Sequence, residues 1–126
     1  MSKILRGIRG AVQAPANTIE AIMDATTELL RALQDANGFA LEDVESAIFT
    51  STPDLTADFP AHAARRLGWL DVPLLGAVEV DVPTGLPRCV RVLLHVYTTR
   101  PRAELKHMYL GAAAVLRPDR KLSSPQ

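Results

Sequence analysis

The stretch CVRVLLHVYTT, residues 89–99, decides the fold because it is the longest run in the chain that predicts a β-strand. Side chains alternate between the two faces of a strand, so every second residue lies on the same side. One face is wholly aliphatic and consists of Val90, Val92, Leu94 and Val96. The other face is mixed and consists of Arg91, Leu93, His95 and Tyr97. We therefore expect a strand that packs one side on the core and offers polar groups on the other.

A long amphipathic helix is the clearest element upstream of this strand. Asn17 is a suitable N-cap, and Glu20 follows it at the spacing of a capping box. The apolar stripe at helical spacing is Ile19, Ile22, Met23, Thr26, Leu29, Leu30 and Leu33. Asn37-Gly38 supplies the stop signal.

The remaining elements are shorter and complete an α+β chain. Further strands are predicted at residues 3–12, 47–51, 74–82 and 107–116, and short helices at 60–67 and 101–106. The expected fold is α+β, with about five strands in a mixed sheet and one long and one or two short helices. Such helices cover only one sheet face, so we expect the other face to meet a partner subunit.

Composition limits the function classes. The 126 residues are 48% hydrophobic and predict one domain at 1–116, followed by a tail at 117–126 without periodicity that we expect to be mobile. A net charge of zero argues against nucleic-acid partners. The single cysteine, Cys89, argues against a disulfide framework or a multi-cysteine metal site. Lacking a membrane-length apolar run, the chain is expected to be cytoplasmic without a membrane partner.

Four polar residues occupy strand positions that would otherwise be core. Arg9 lies between the small residues Gly7 and Ala11, and the other three are Glu79, Arg91 and Tyr109. Either these side chains simply face solvent, or they line a polar pocket, because buried charges are costly unless paired. Two arginines, a glutamate and a tyrosine suit the binding of a dianionic molecule and the stabilisation of charge shifts within it.

Several short motifs carry a family resemblance from about residue 4 to residue 120. They are Arg6-Gly-Ile-Arg9-Gly-Ala, Thr52-Pro-Asp-Leu with Phe59-Pro-Ala61, Glu79-Val-Asp81 with Arg88-Cys-Val-Arg91-Val, and His107-Met-Tyr109-Leu with Leu116-Arg117-Pro-Asp119. In this order and spacing the chain resembles the monofunctional chorismate mutases of the trimeric pseudo-α/β-barrel class.

The resemblance implies an assembly and a reaction. The assembly is a homotrimer with three active sites between adjacent subunits. The reaction is the pericyclic 3,3-rearrangement of chorismate to prephenate, on the route to phenylalanine and tyrosine. It requires no cofactor, no metal and no covalent intermediate.

The resemblance also implies roles for the four polar strand residues. Arg91 donates to the ether oxygen of the breaking bond, and Glu79 accepts from the ring hydroxyl. Arg9 and Tyr109 hold the side-chain carboxylate. Arg91 and Glu79 are therefore the expected catalytic residues.

Further contacts follow by the same resemblance. From the neighbouring subunit, Phe59 and Ala61 form an apolar wall and Arg65 lies near the ring carboxylate. Leu116 and Arg117 help to close the mouth of the site.

The sequence departs at two positions from the pattern of the family that it resembles. His62 stands where relatives can carry a lysine, and Gly76 stands where some carry a cysteine near the ring hydroxyl. Gly76 and Glu79 are three residues apart, so we expect a β-bulge at Gly76 to bring them to one face.

Two other functions remain open at this stage. The imine/enamine deaminases share the trimeric barrel shape, although none of their sequence pattern is present, and fold alone does not define function. A non-catalytic trimer that binds aromatic metabolites would keep Arg9 and Tyr109 but would not need Arg91.

Overall fold

A five-stranded sheet with one long helix packed on it forms the fold of residues 2–116, the part of the chain that the computed structural model describes. The strands and helices in chain order are β1 Ile4–Gln13, α1 Ile19–Asn37, β2 Val44–Ser51, α2 Ala61–Arg66, β3 Leu74–Val78, β4 Cys89–Thr98 and β5 Met108–Tyr109. Short 3₁₀ turns lie at Leu41–Asp43, Arg102–Glu104 and Gly111–Leu116. This confirms the α+β class.

The sheet is mixed, as expected, with strand order β3-β2-β4-β1-β5. The central strand β4 is antiparallel to both β1 and β2, whereas the outer strands β5 and β3 are parallel to β1 and β2. No helix within residues 2–116 has the length and apolar content needed to cross a membrane.

The core lies between α1 and the aliphatic face of β4. All four predicted residues of that face, Val90, Val92, Leu94 and Val96, are buried. The helix contributes the buried side chains Ile22, Met23, Ala25, Thr26, Leu29, Leu30 and Leu33. Ile19, predicted as part of the stripe, is exposed at the first residue of α1.

The N-cap prediction is wrong by one residue. The hydroxyl of Thr18 accepts the N–H of Ala21 and caps α1. The Asn17 amide instead accepts the N–H groups of Thr56 and Ala57 at 2.9 and 3.0 Å, and so ties the following loop to the helix start. The predicted stop is confirmed, since Gly38 adopts a left-handed φ of 66° and donates to Gln34.

Two predicted strands are too long. β3 ends at Val78 because its partner β2 ends at Ser51, whose carbonyl accepts the N–H of Glu79 as the last rung. The predicted strand at 107–116 is paired only over Met108–Tyr109, after which Gly111 turns with a φ of 54° into a 3₁₀ helix. The predicted helix at 101–106 is a single 3₁₀ turn. The predicted tail at 117–126 lies outside the described residues.

Gly10 is required where α1 and β5 meet β1. A Cβ atom there would lie 2.8 Å from Leu29 Cδ1 and 3.0 Å from both Leu33 Cδ1 and the Met108 carbonyl oxygen. We expect Gly10→Ala to lower the free energy of unfolding by about 1–3 kcal/mol through overpacking, measured by urea denaturation. Gly76→Ala is the matched control, because its Cβ meets nothing within 4 Å. Equal stability of the two variants would contradict the packing argument.

The sheet face opposite α1 is covered within residues 2–116 only at one end, where Ala113 of the last 3₁₀ turn packs on Ala11 and Cys89, and we call the rest the uncovered face. Leu5, Leu75 and Tyr97 are exposed on it. Its centre is polar, with Ser46 Oγ 3.0 Å from His95 Nδ1. We call the exposed Leu5, Leu75 and Tyr97 the apolar margin of the sheet. Exposed apolar side chains of this kind support the expectation of a partner subunit.

Candidate functional site

A cleft of about 230 Å³ opens on the uncovered sheet face. Its lining comes from β1, β2, β4 and β5 and consists of Arg9, Gly10, Ile48, Thr50, Arg91, Val92, Leu93 and Tyr109. Three of the four polar strand residues singled out from the sequence therefore line one cleft.

Arg9 and Tyr109 form the first polar pair. The phenol oxygen of Tyr109 lies 2.8 Å from Arg9 Nη2 and 3.2 Å from Arg9 Nε. The pairing of β5 with β1 places Tyr109 opposite Ala11, and the Arg9 N–H donates to His107 Nδ1 at 3.0 Å. Arg9 is thus tied through its backbone to the residue before β5 and through its side chain to β5 itself.

Arg91 and Glu79 form the second pair. Arg91 Nε lies 3.1 Å from Glu79 Oε2, an ion-pair distance, yet this buried nitrogen makes no hydrogen bond of acceptable geometry within residues 2–116. Glu79 Oε2 also accepts the hydroxyl of Thr50 at 2.5 Å, and Thr50 is the β2 residue opposite Arg91. The Glu79 side chain is 16% exposed and that of Arg91 is 44% exposed, so the carboxylate is enclosed while the guanidinium remains accessible.

A second cleft of about 320 Å³ is lined by both members of this pair. Its lining includes Thr52, Asp54, Glu79 and Arg91 together with the loop of residues 80–87. Arg91 lines both clefts, so the two clefts adjoin at this residue.

Cys89 has the setting of a core residue. It is 1% exposed and packs with Ala11 and Ala113. Burial raises the pKa of its thiol, although Arg91 opposes this shift. A thiol in such surroundings is a poor nucleophile. Within residues 2–116 no group of three or more His, Cys, Asp or Glu side chains is placed to hold a metal ion.

The residues assigned by resemblance to a neighbouring subunit lie outside the 230 Å³ cleft. Phe59 precedes α2 and is 68% exposed, and Ala61 and His62 begin that helix. His62 Nδ1 lies 2.7 Å from Asp58 Oδ1, and its ring contacts Phe59 edge-on. A single subunit does not unite this group with Arg91.

Arg65 has a structural role that the sequence did not indicate. Its Nη1 donates to the carbonyl of Trp69, and to those of Leu70 and Val72 at 3.0 Å each. It therefore closes the turn that follows α2.

Gly76 and Glu79 lie on opposite sheet faces, and the predicted bulge is wrong. The β2–β3 register runs without a shift from Ala47–Leu74 to Ser51–Val78. Leu116 packs on the small cluster of Ala11, Cys89 and Ala113 beside Tyr109. Arg117 lies outside the described residues.

Thr50 is a site residue that sequence reasoning missed. A signal was available, since Ser46, Ile48 and Thr50 alternate with the buried Ala47 and Phe49. That alternation places Thr50 on the uncovered face, but only the register shows that it lies opposite Arg91.

Comparison with known proteins shows the family. Residues 5–120 match the family model for chorismate mutase type I. The chain belongs to the chorismate mutase type I family. This membership decides against the deaminase alternative.

Individual relatives agree with the family match. The chain is 50% identical over 117 residues to chorismate mutase AroH of Thermus thermophilus, covering 92% of this chain and 96% of that one. It is 42% identical over 121 residues to chorismate mutase AroH of Bacillus subtilis, covering 95% of each. Among solved structures, a chorismate mutase from Clostridium thermocellum superimposes with a TM-score of 0.86 at 43% identity, covering 87% of this chain and 98% of that one.

Proposed function

We propose that this chorismate mutase converts chorismate to prephenate with Arg91 and Glu79 at the reacting bonds. The observation that carries the proposal is the placement of Arg9, Tyr109 and Arg91 around one cleft, with Glu79 paired to Arg91 at its edge. Chorismate carries two carboxylates, a ring hydroxyl and an enolpyruvyl ether, and these residue types match those groups.

Arg91 acts on the ether oxygen. In the chair-like transition state the C–O bond breaks ahead of C–C bond formation, so negative charge develops on that oxygen. A guanidinium already held in place by Glu79 stabilises this charge without having to reorganise.

Glu79 acts on the ring. Within residues 2–116 both partners of its carboxylate, Thr50 and Arg91, lie at Oε2, which leaves Oε1 for the ring hydroxyl. The same carboxylate faces the positive charge that develops on the ring, so it stabilises the transition state more than the ground state.

Arg9 and Tyr109 hold the side-chain carboxylate. The contacts of Arg9 Nε and Nη2 with the Tyr109 hydroxyl fix both groups in one place. Binding the enolpyruvyl carboxylate there selects the folded conformer in which the bond-forming carbons approach each other.

The test of this function is to monitor the loss of chorismate by ultraviolet absorbance with purified protein. We expect loss of chorismate with equimolar formation of prephenate. Binding of chorismate without turnover would instead favour the non-catalytic metabolite-binding alternative.

We also propose a homotrimer with each site shared between two subunits. Two observations support it: the uncovered apolar margin of the sheet, and the exposed Phe59 that lies away from the cleft of its own subunit. In this arrangement Phe59, Ala61, His62 and Arg65 of one subunit complete the site of the next. Light scattering should give three times 13.7 kDa.

Mixed trimers test the sharing directly. Arg91→Ala and Phe59→Asp should each be inactive alone, the second because it adds an anion beside a dianionic substrate. After equilibration of an equal mixture, about one site in four receives Arg91 from one variant and Phe59 from the other, and is intact. We expect about that fraction of wild-type activity per site. A mixture as inactive as its components, with subunit exchange verified by mass spectrometry, would contradict a shared site.

Substitution of His62 tests whether this residue lies close enough to the substrate carboxylates to affect their binding. His62→Lys restores a permanent positive charge near the substrate carboxylates, so we expect KM at pH 8 to fall about two- to fivefold, with kcat unchanged. The gain should diminish with added salt, because the charge is exposed. His62→Gln is the neutral control and should keep the wild-type KM. An unchanged KM in His62→Lys at low salt would remove this residue from the site.

A further inference from the structure

We propose that Asp54 is a positioning residue that clamps the backbone at Arg88 and so sets the direction of Arg91. The inference deepens the proposed function and rests on it. Asp54 touches no reacting atom in this proposal and acts only through the start of β4.

The clamp consists of direct hydrogen bonds to the chain just before β4. The Arg88 N–H donates to Asp54 Oδ2 at 2.9 Å and to Oδ1 at 3.2 Å. The hydroxyl of Thr52 donates to Asp54 Oδ1 at 2.5 Å. The Thr52 hydrogen bond, with help from the Arg88 N–H, holds the pKa of Asp54 below its usual value, so the acceptor stays charged at neutral pH.

Arg88 is the only residue other than glycine with a positive φ within residues 2–116, at 49°. A side chain in this region is strained, and such strain persists only where surrounding contacts hold it. Here the N–H is held by Asp54, and the carbonyl accepts the N–H of Ala14 at 2.7 Å. The Arg88 side chain adds a third tie from Nε to the Ala14 carbonyl at 3.0 Å.

Thr52 extends the clamp to the first residue of β4. Its N–H donates to the Cys89 carbonyl at 3.0 Å, and its hydroxyl accepts the Cys89 N–H at 2.9 Å. Because the same hydroxyl donates to Asp54, the carboxylate orients it to accept from Cys89. Arg91 follows two residues later on the same strand.

The clamp also determines the distance between the two catalytic residues. Residues 80–88 connect Glu79 to β4, the strand that carries Arg91. Both ends of this connection are held by the segment of residues 51–54. The first end is held by the Glu79 N–H on the Ser51 carbonyl at 2.9 Å, and the second by Thr52 and Asp54. Release of the second end would let Arg91 shift relative to Glu79, and misplacement by about 1 Å can cost 10²-fold in rate.

The kinetic test is Asp54→Ala, with chorismate turnover followed at saturating and limiting substrate. We expect kcat to fall about tenfold while KM changes less than about twofold, because the transition-state contact is misplaced and the carboxylate-binding pair Arg9–Tyr109 is untouched. Asp43→Ala is the matched control. It removes a carboxylate that is hydrogen-bonded to Lys3, just before β1, whereas the Arg88 clamp binds Ala14, just after β1. This variant should retain wild-type kcat.

A second comparison separates positioning from general destabilisation. Arg88→Gly and Arg88→Ala both remove the side-chain tie to Ala14, but only glycine adopts a positive φ without strain. When Asp54→Ala is added to Arg88→Gly, kcat should fall only about two- to threefold relative to Arg88→Gly alone. When it is added to Arg88→Ala, kcat should fall about tenfold relative to Arg88→Ala alone. Equal costs in the two backgrounds would overturn the proposal, as would a wild-type kcat in the Asp54→Ala single variant.

Amide hydrogen exchange tests the clamp without using activity. We expect exchange at the Arg88 and Cys89 N–H groups to be at least about tenfold faster in Asp54→Ala, with the exchange of β4 beyond Arg91 unchanged. Unchanged exchange at Arg88 would overturn the clamp. If wild-type protein fails to convert chorismate, the proposed function fails, whereas the exchange result still decides whether Asp54 holds the start of β4.

Discussion

Arg91→Ala should lower kcat by about 10²–10³ with a much smaller change in KM. The reason is that the guanidinium meets the ether oxygen only as negative charge develops on it, so its loss removes stabilisation from the transition state alone. Steady-state kinetics on chorismate, with folding checked by circular dichroism, measures the effect.

The control is citrulline in place of Arg91, which keeps the shape and removes the charge. Because charge and not size carries the effect, this replacement should be about as damaging as alanine. Near wild-type kcat in a folded Arg91→Ala variant would contradict the mechanism. Wild-type kcat with citrulline would show that hydrogen bonding without charge is sufficient.

Glu79→Gln should give the second largest loss, a fall in kcat/KM of about 10². The amide can still accept from the Thr50 hydroxyl, so the site keeps its shape. It no longer carries the charge that faces the developing positive ring, and it leaves the buried Nε of Arg91 without a counterion. Steady-state kinetics on chorismate measures this loss under the same conditions as for Arg91.

A double-mutant cycle provides the check. Because Glu79 and Arg91 contact each other, the double variant should lose less than the product of the two single losses. Thr50→Val, which removes only the hydroxyl to Glu79, should cost less than either single variant. If the loss of activity in the double variant equals the product of the two single losses, then Glu79 and Arg91 do not act as a unit.

The pattern of α1 and β4 was predictable because it is local. Helical spacing from Ile22 to Leu33 and strict alternation from Val90 to Val96 both arise from burial of one face, and burial is what the structure shows. The last predicted strand failed because Ala-rich residues after Gly111 carry no alternation, and their packing on Ala11 and Cys89 depends on a distant part of the chain.

The residue types of the candidate site were also visible in the sequence. Charged and phenolic side chains at strand positions are costly unless paired, so Arg9, Glu79, Arg91 and Tyr109 stand out in any strand assignment. The Arg65 contacts with three carbonyls were not predictable, because they require the specific turn after α2.

The sequence by itself therefore determined the fold class, the family and the set of polar residues, because each depends on residue type and short-range spacing. The tertiary structure decided which strands are neighbours, and hence that Thr50 lies opposite Arg91 and that Tyr109 lies beside Arg9. It also decided that Asp54 holds the strained backbone of Arg88. These contacts join residues 34 to 100 positions apart, so local spacing along the sequence does not reveal them and the tertiary fold brings them together.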